Sequence, residues 1–300
     1  MRPPGDVIVA TIARDRRQIV ADLVALTKLR VVLMVLVTTL VGYYVGLDGA
    51  PDYARMLHLV IGTALAAGGT LALNQYRERD VDARMERTRA RPLPQGRLEP
   101  LEALGFGAAI SVIGVGYLAA SVNLPAALVT GTIVIVYVFA YTPLKLHTAL
   151  CTVVGAVPGA LPPVIGWVAA RDALGAGAWV LFGILFFWQL PHALAIARLY
   201  RDDYARAGIR VLPAVDPHGS RTERYIVVSC VALTAVSLLA TPAGMAGDVY
   251  FVAAFALGAA FVMFGARQAL APSPTAIRGV LFASLVYLPL VLAVLVLDKR

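Results

Sequence analysis

The residues best suited to chemistry lie together between Asn74 and Pro94, in the stretch NQYRERDVDARMERTRARPLP. On a helix turning about 100° per residue, Asn74, Glu78 and Asp82 fall at i, i+4 and i+8 along one gently drifting stripe, while Asp80 points largely to the other side. One amide and two carboxylates in a column supply the oxygen donors that a hard divalent cation takes. Magnesium commonly joins one or two carboxylates to a substrate phosphate. Arg84, Arg87, Arg89 and Arg91 follow at once and suit the phosphate itself. The segment reads as a magnesium–diphosphate site.

A second polar stretch, LYRDDYARAGIRVLPAVDPHG, carries Asp202, Asp203, Arg206, Arg210 and Pro213 in a similar order of acids, basic residues and proline. About 125 residues separate the two, which suggests two related halves presenting acidic helix ends to one shared cavity. Tyr141, Thr142, Lys145, His147 and Thr148 form a third, shorter polar site. It precedes a segment dense in helix breakers: Gly155, Pro158, Gly159, Pro162, Pro163 and Gly166. Those prolines predict a bent helix near a cavity.

Plainer readings compete at each place. Arg55, Arg171 and Lys299 read as interface anchors. That reading suits Glu78 and Asp82 poorly, because acids anchor helices weakly and repel one another unless cations offset them. Asp202 and Asp203 alone could form a solvated turn, and Lys145 an ordinary basic residue at a helix end. His192, beside Pro191 in an apolar run, reads first as a packed core histidine and second as a contact to, or ligand of, a cofactor-like substrate. Cys151 and Cys230 lie far apart in apolar runs and read as packing residues.

The elements that must position these groups are membrane helices. With 59% hydrophobic and 15% charged residues among 300, the chain cannot hide its apolar surface in a water-soluble globule. Apolar runs of spanning length fall near 31–46 (extending upstream to about 24), 57–73, 102–120, 126–144, 151–170, 178–197, 225–241, 249–266 and 277–297. The expectation is an all-α polytopic membrane protein of about nine transmembrane helices around a central cavity. It forms a single domain over 1–300, with 1–23 a cytoplasmic N-terminal arm. No cleavable signal peptide is evident, so the first transmembrane helix is expected to serve as its own insertion signal. The net charge of +8 could suggest nucleic acid, yet its distribution argues otherwise. With the N-terminus cytoplasmic, all but four of the 26 Lys and Arg (Arg55, Arg171, Lys299 and Arg300) fall on the inner side.

These stretches resemble the intramembrane prenyltransferases of the UbiA type over nearly the whole chain. The family motif Asn-x-x-x-Asp-x-x-x-Asp falls on Asn74, Glu78 and Asp82, with Glu in place of the middle Asp. Within the family, DARMERTRARPLP (82–94), YTPLK (141–145), VGAVPGALPPVIGW (154–167) and WQLPHALAIARLYRDDYARAGIRVLP (188–213) look like the members that farnesylate protoheme. Cys151, Leu146, Ala193 and Arg198 depart from that pattern.

The resemblance implies transfer of the farnesyl group of farnesyl diphosphate to the 2-vinyl group of heme b, with addition of water, giving heme O and diphosphate. Asn74, Glu78, Asp82, Asp202 and Asp203 would hold magnesium, with Lys145 joining them in catalysis. Arg87, Arg91, Tyr141, His192, Tyr200 and Arg206 would contact substrates. It implies a bacterial inner membrane, and heme A synthase or the terminal oxidase assembly as recipients of the product.

Three other readings remain at this point: prenyl transfer to an aromatic quinone-type precursor, a secondary transporter, and a structural assembly factor. A transporter would place its ionisable residues at broken helices near the midplane, rather than at helix ends. An assembly factor gives no reason for two acidic motifs. The charge asymmetry also makes a prediction about topology. Reporter fusions at Gln95 and Gly219 should report the cytoplasm and one at Ala246 the opposite side; an external signal at Gln95 would contradict the shared site.

Overall fold

The computed structural model describes residues 15–300, so the first part of the N-terminal arm (1–14) lies outside the described residues. Among the described residues the regular elements are all helices. A short α1 (Arg16–Leu26) leads into α2 (Leu29–Gly46), α3 (Tyr53–Asp82) and α4 (Pro100–Ser121). Next, α5 (Leu124–Ile135) continues through a π-helical turn, Val136–Tyr141, into α6 (Thr142–Leu144). Then come α7 (Cys151–Ala160), α8 (Pro162–Arg171) and α9 (Ala176–Leu199), the short α10 (Arg201–Arg206) and α11 (Leu212–Val215), and finally α12 (Ser220–Leu238), α13 (Asp248–Leu270) and α14 (Pro274–Leu297).

Local sequence sets several boundaries. Asp52 accepts the Arg55 amide at 3.0 Å to start α3, and Asn123 accepts the Ala126 amide at 2.9 Å to start α5. Glu99 and Glu102 cap α4 reciprocally, with Pro100 in the first turn. The expected bend is a break: α7 ends at Ala160 and α8 begins at Pro162, with Pro158 inside α7.

Among the described residues, eight segments are long and apolar enough to cross a membrane. The ninth expected span corresponds to α12, whose first turns carry Arg221, Glu223 and Arg224. It begins five residues before the expected 225 yet packs against α9 and α13 as a full member of the bundle. In α3 the apolar run ends at Leu73 and the helix continues to Asp82, so the acidic stripe stands on regular helix, as its i, i+4, i+8 spacing required.

Two close helix pairs frame the interior, α3 with α4 and α2 with α8. The α2–α8 crossing requires glycine on both sides. A Cβ on Gly42 would lie 1.9 Å from the Pro163 carbonyl oxygen, and one on Gly166 would lie 1.9 Å from that of Thr39. Both cysteines are free and buried. Gly166→Ala should therefore cost about 3 kcal/mol and lower the thermal midpoint of detergent-extracted protein. Gly105→Ala, whose Cβ meets nothing within 4 Å, should be neutral or slightly stabilising.

Candidate active site

The last three turns of α3 present their polar face to a cavity of about 210 Å³ at one end of the bundle. Asn74 and Asp82 are almost fully buried, while Asp80, off the stripe, is exposed beside Arg79. Burying carboxylates demands compensation, and each has a cation. Lys145 Nζ sits 2.6 Å from Glu78 Oε1, and Arg91 Nη1 sits 2.6 Å from Asp82 Oδ2. Asn74 is oriented by Thr142, whose Oγ1 accepts its Nδ2 at 3.1 Å while donating to the Tyr137 carbonyl at 2.8 Å.

The π-helical turn matters here, since its wider winding shifts the register of the chain that follows. The Tyr137 and Tyr141 rings pack at a 59° tilt with centroids 5.0 Å apart, and Lys145 Nζ lies 4.3 Å from the Tyr141 ring centre. Gly155 makes room for this arrangement: a Cβ there would fall 2.5 Å from the Tyr141 ring.

Two residues that sequence reasoning did not single out complete the cavity. One is Tyr137. The other is Lys28, held in a left-handed conformation (φ 50°) between α1 and α2, with Nζ 3.4 Å from Asn74 Oδ1. Burial and the nearby Arg91 charge push its pKa down to about 7. As a basic residue before the first span, Lys28 had the signature of a topology signal and nothing more. Its placement is secured by α1, through an Asp22–Arg97 ion pair at 3.1 Å and a bond of 2.7 Å from Gln75 to the Leu26 carbonyl.

The second motif lies in an adjoining cavity of about 450 Å³, lined by Tyr200, Asp202, Asp203 and Arg206, with Arg87 on the wall common to both. Asp203 Oδ1 accepts the Glu86 amide at 3.1 Å and faces Arg206 at 2.9 Å. Burial works against its charge, but the Glu86 and Arg87 amides and Arg206 outweigh it and hold the carboxyl below the usual range. Asp203 thus pins the first loop to the second. Asp202 is exposed, and Arg87 lies over the Tyr200 ring at 5.9 Å. The Arg210 amide donates to the Lys145 carbonyl at 2.7 Å, joining the third polar site to the same assembly.

The five acidic and amide residues therefore divide three and two between neighbouring cavities. Among the described residues, no three His, Cys, Asp or Glu side chains are close enough to hold a metal by themselves. Asn74, Glu78 and Asp82 nonetheless form an all-oxygen donor set in one cavity, which fits a magnesium ion that draws its remaining ligands from water and phosphate.

His192 stands apart from both cavities. It packs on the α9–α14 seam, stacked on Trp188 at 4.9 Å, with Nδ1 2.8 Å from Ser284 Oγ. Ser284 Oγ donates its only proton to the Leu281 carbonyl at 2.6 Å, so Nδ1 carries the proton of the His192 contact and Nε2 keeps its lone pair.

The buried pairs can be tested without any substrate. Lys145→Met alone should destabilise the protein by about 3 kcal/mol, because Glu78 is left buried and uncompensated. Adding Glu78→Gln should recover most of that loss in thermal unfolding of the extracted protein. Additive losses would mean that the pair is not coupled.

The sequence pattern of the UbiA prenyltransferase family matches residues 35–287. A protein named protoheme IX farnesyltransferase from Solibacter usitatus (strain Ellin6076) is 46% identical over 287 residues, covering 93% of this chain and 98% of its own. A solved structure described as digeranylgeranylglyceryl phosphate synthase in membranes superposes with a TM-score of 0.80 at 14% identity, over 93% of this chain and 98% of that one. A UbiA homolog from Archaeoglobus fulgidus bound to GPP and Mg2+ superposes with a TM-score of 0.64 at 17% identity, over 91% and 99%. The two solved structures establish the shared helical fold, and the sequence matches establish the lineage: the chain belongs to the UbiA prenyltransferase family and is a transferase.

Proposed function

We propose that this transferase moves the farnesyl group of farnesyl diphosphate to the 2-vinyl group of heme b, giving heme O and diphosphate. The observation that carries the reading is a cavity with three oxygen donors and four basic side chains (Lys28, Arg87, Arg91 and Lys145), in a chain 46% identical to a protoheme IX farnesyltransferase. A magnesium ion held there by Asn74, Glu78 and Asp82 would neutralise charge on the diphosphate.

The chain's own residues do the rest. Arg91 and Lys145, already at the mouth of the stripe, bind diphosphate oxygens and stabilise the charge that develops as the C1–O bond breaks. The Tyr137 and Tyr141 rings flank the place where the allylic cation forms, and ring faces attract cations. The vinyl group supplies the electron pair for the new C–C bond. Water then adds to the resulting cation and loses a proton, which leaves the hydroxyethylfarnesyl group. Asp202 and Arg206 in the adjoining cavity are placed to receive the departing diphosphate or a second metal.

His192, whose Nδ1 is engaged by Ser284 on the α9–α14 seam, would be a contact to the heme substrate. The acidic ends face the cytoplasm of a bacterial inner membrane, where both substrates are supplied, and the product passes to heme A synthase or the terminal oxidase assembly. Prenyl transfer to an aromatic acceptor would use the same acidic stripe, and the 46% identity to a protoheme IX farnesyltransferase favours heme over it.

Heme extracts from cells with and without the gene, separated by chromatography and identified by mass, test this directly. Heme O should appear only with the gene. Asp82→Asn keeps the size and an acceptor for Arg91, and it should lower heme O formation roughly 10²–10³-fold, with Glu78→Gln similar and Glu78→Asp retaining substantial activity. Asp80→Asn should be mild. His192→Ala should raise the apparent KM for heme well above any change for farnesyl diphosphate; equal small changes would return it to a packing role.

A further inference from the structure

A cavity of about 600 Å³ opens at the other end of the bundle from the acidic stripe. Helices α2 and α8 end there, at Gly46 and Arg171, and α9 begins there at Ala176. Arg55, in the first turn of α3, donates to the Ala169 carbonyl at 3.2 Å. That bond fixes the cavity beside the start of a helix whose far end carries Asp82.

Hydrogen-bond donors converge on this cavity without acceptors to match. The first N–H groups of a helix have no partner within it, and a side chain at the N-cap normally supplies one. The N-cap of α9 is Gly175, which has no side chain to cap with, and Gly175, Ala176 and Gly177 all line the cavity. Trp167, also in the wall, is 6% exposed, and its Nε1 is buried with no hydrogen-bond partner. A buried donor left unpaired is costly. The indole N–H lies at the start of α9: a Cβ on Gly175 would fall 3.7 Å from Nε1. A Cβ on Gly177 would fall 2.1 Å from the far edge of the ring, so glycine there is what lets the indole lie against α9.

Charge points the same way. The Arg171 guanidinium lies 4.9 Å from the centre of the Trp167 ring. Arg300 is a second basic wall residue, paired at 3.6 Å with Asp248, and both are exposed. Among the lining residues Asp48 is the one acid; it is exposed and pairs with Arg171. That contact occupies only part of a guanidinium's fork of N–H donors. An uncapped helix start, an unpaired indole N–H and a guanidinium together suit a tetrahedral oxyanion. Val45, Leu174 and Met245 complete the wall, so the group that carries the anion meets apolar surface beside it. We propose that this cavity binds a phosphate group, that of an anionic phospholipid headgroup in the leaflet opposite the acidic stripe, with Trp167 Nε1 and Arg171 as donors. The site is independent of the prenyl-transfer reading and needs no turnover to be occupied.

The test follows the indole N–H signals of the full chain in neutral detergent, with nitrogen-15 in its three tryptophans. Trp167→Phe identifies the Trp167 signal by its loss. Inorganic phosphate and, in a parallel arm, short-chain phosphatidylglycerol are titrated without magnesium. The Trp167 signal should move downfield and saturate in both arms, at a concentration about tenfold or more lower for the lipid. Trp188, whose Nε1 already donates to the Ser284 carbonyl at 2.7 Å, should stay in place. Arg171→Gln should weaken either titration by about tenfold or more, and Arg171→Lys by less. The wild-type titrations stand alone should the Arg171 variants fail to fold. Saturation by phosphate at a concentration equal to or below that of the lipid would overturn the headgroup as the source and leave free phosphate as the ligand. A Trp167 signal that moves with neither probe, or that moves as readily with short-chain diacylglycerol, would overturn the site itself.

Discussion

Carboxylates cannot be buried at the end of a membrane helix unless positive charge meets them. Glu78 and Asp82 stand at such an end, and Lys145 and Arg91 meet them at 2.6 Å each. Breaking a fully buried pair typically costs about 3–5 kcal/mol, and these side chains retain some exposure, which places them toward the lower end. Much of the surrounding structure follows from the need to bring those cations in. Arg91 arrives on a loop pinned by Asp203 through the Glu86 amide. Lys145 arrives after a π-helical turn, and its backbone carbonyl is held by the Arg210 amide. The segments around the second motif thus support the first mechanically, whatever further part they take in the chemistry.

The same compensation prepares the site for a substrate. Cations already gathered around two carboxylates can turn to phosphate oxygens once a metal takes over part of the carboxylate charge, so little new structure has to form. Below the charged cavity the helix face turns apolar without interruption, from Asn74 through Thr70 to Thr63.

Much of this was legible in the sequence, and the reasons are local. The i, i+4, i+8 spacing of Asn74, Glu78 and Asp82 is a property of any helix and needed no tertiary information. The break between α7 and α8 was written in Pro158, Pro162 and Pro163. What escaped depends on distant neighbours. The Glu78–Lys145 pair joins positions 67 residues apart. The left-handed Lys28 takes its meaning from Asn74, and Asp203 reveals its partner only when two loops meet. The division of the acids between two cavities was likewise invisible, because both motifs read alike as acids before arginines. The start of α12 was missed because its charged first turns lack the apolar pattern that marks a span.

The central claim is that the compensated stripe on α3 is a magnesium-dependent diphosphate site. Equilibrium binding of labelled inorganic diphosphate to the wild-type protein, with and without magnesium, addresses it without requiring heme or turnover. The account predicts one saturable site whose affinity rises about tenfold or more when magnesium is present, equivalent to roughly 1.4 kcal/mol. Binding of equal strength in the absence of magnesium, or no saturable binding at all, would contradict it.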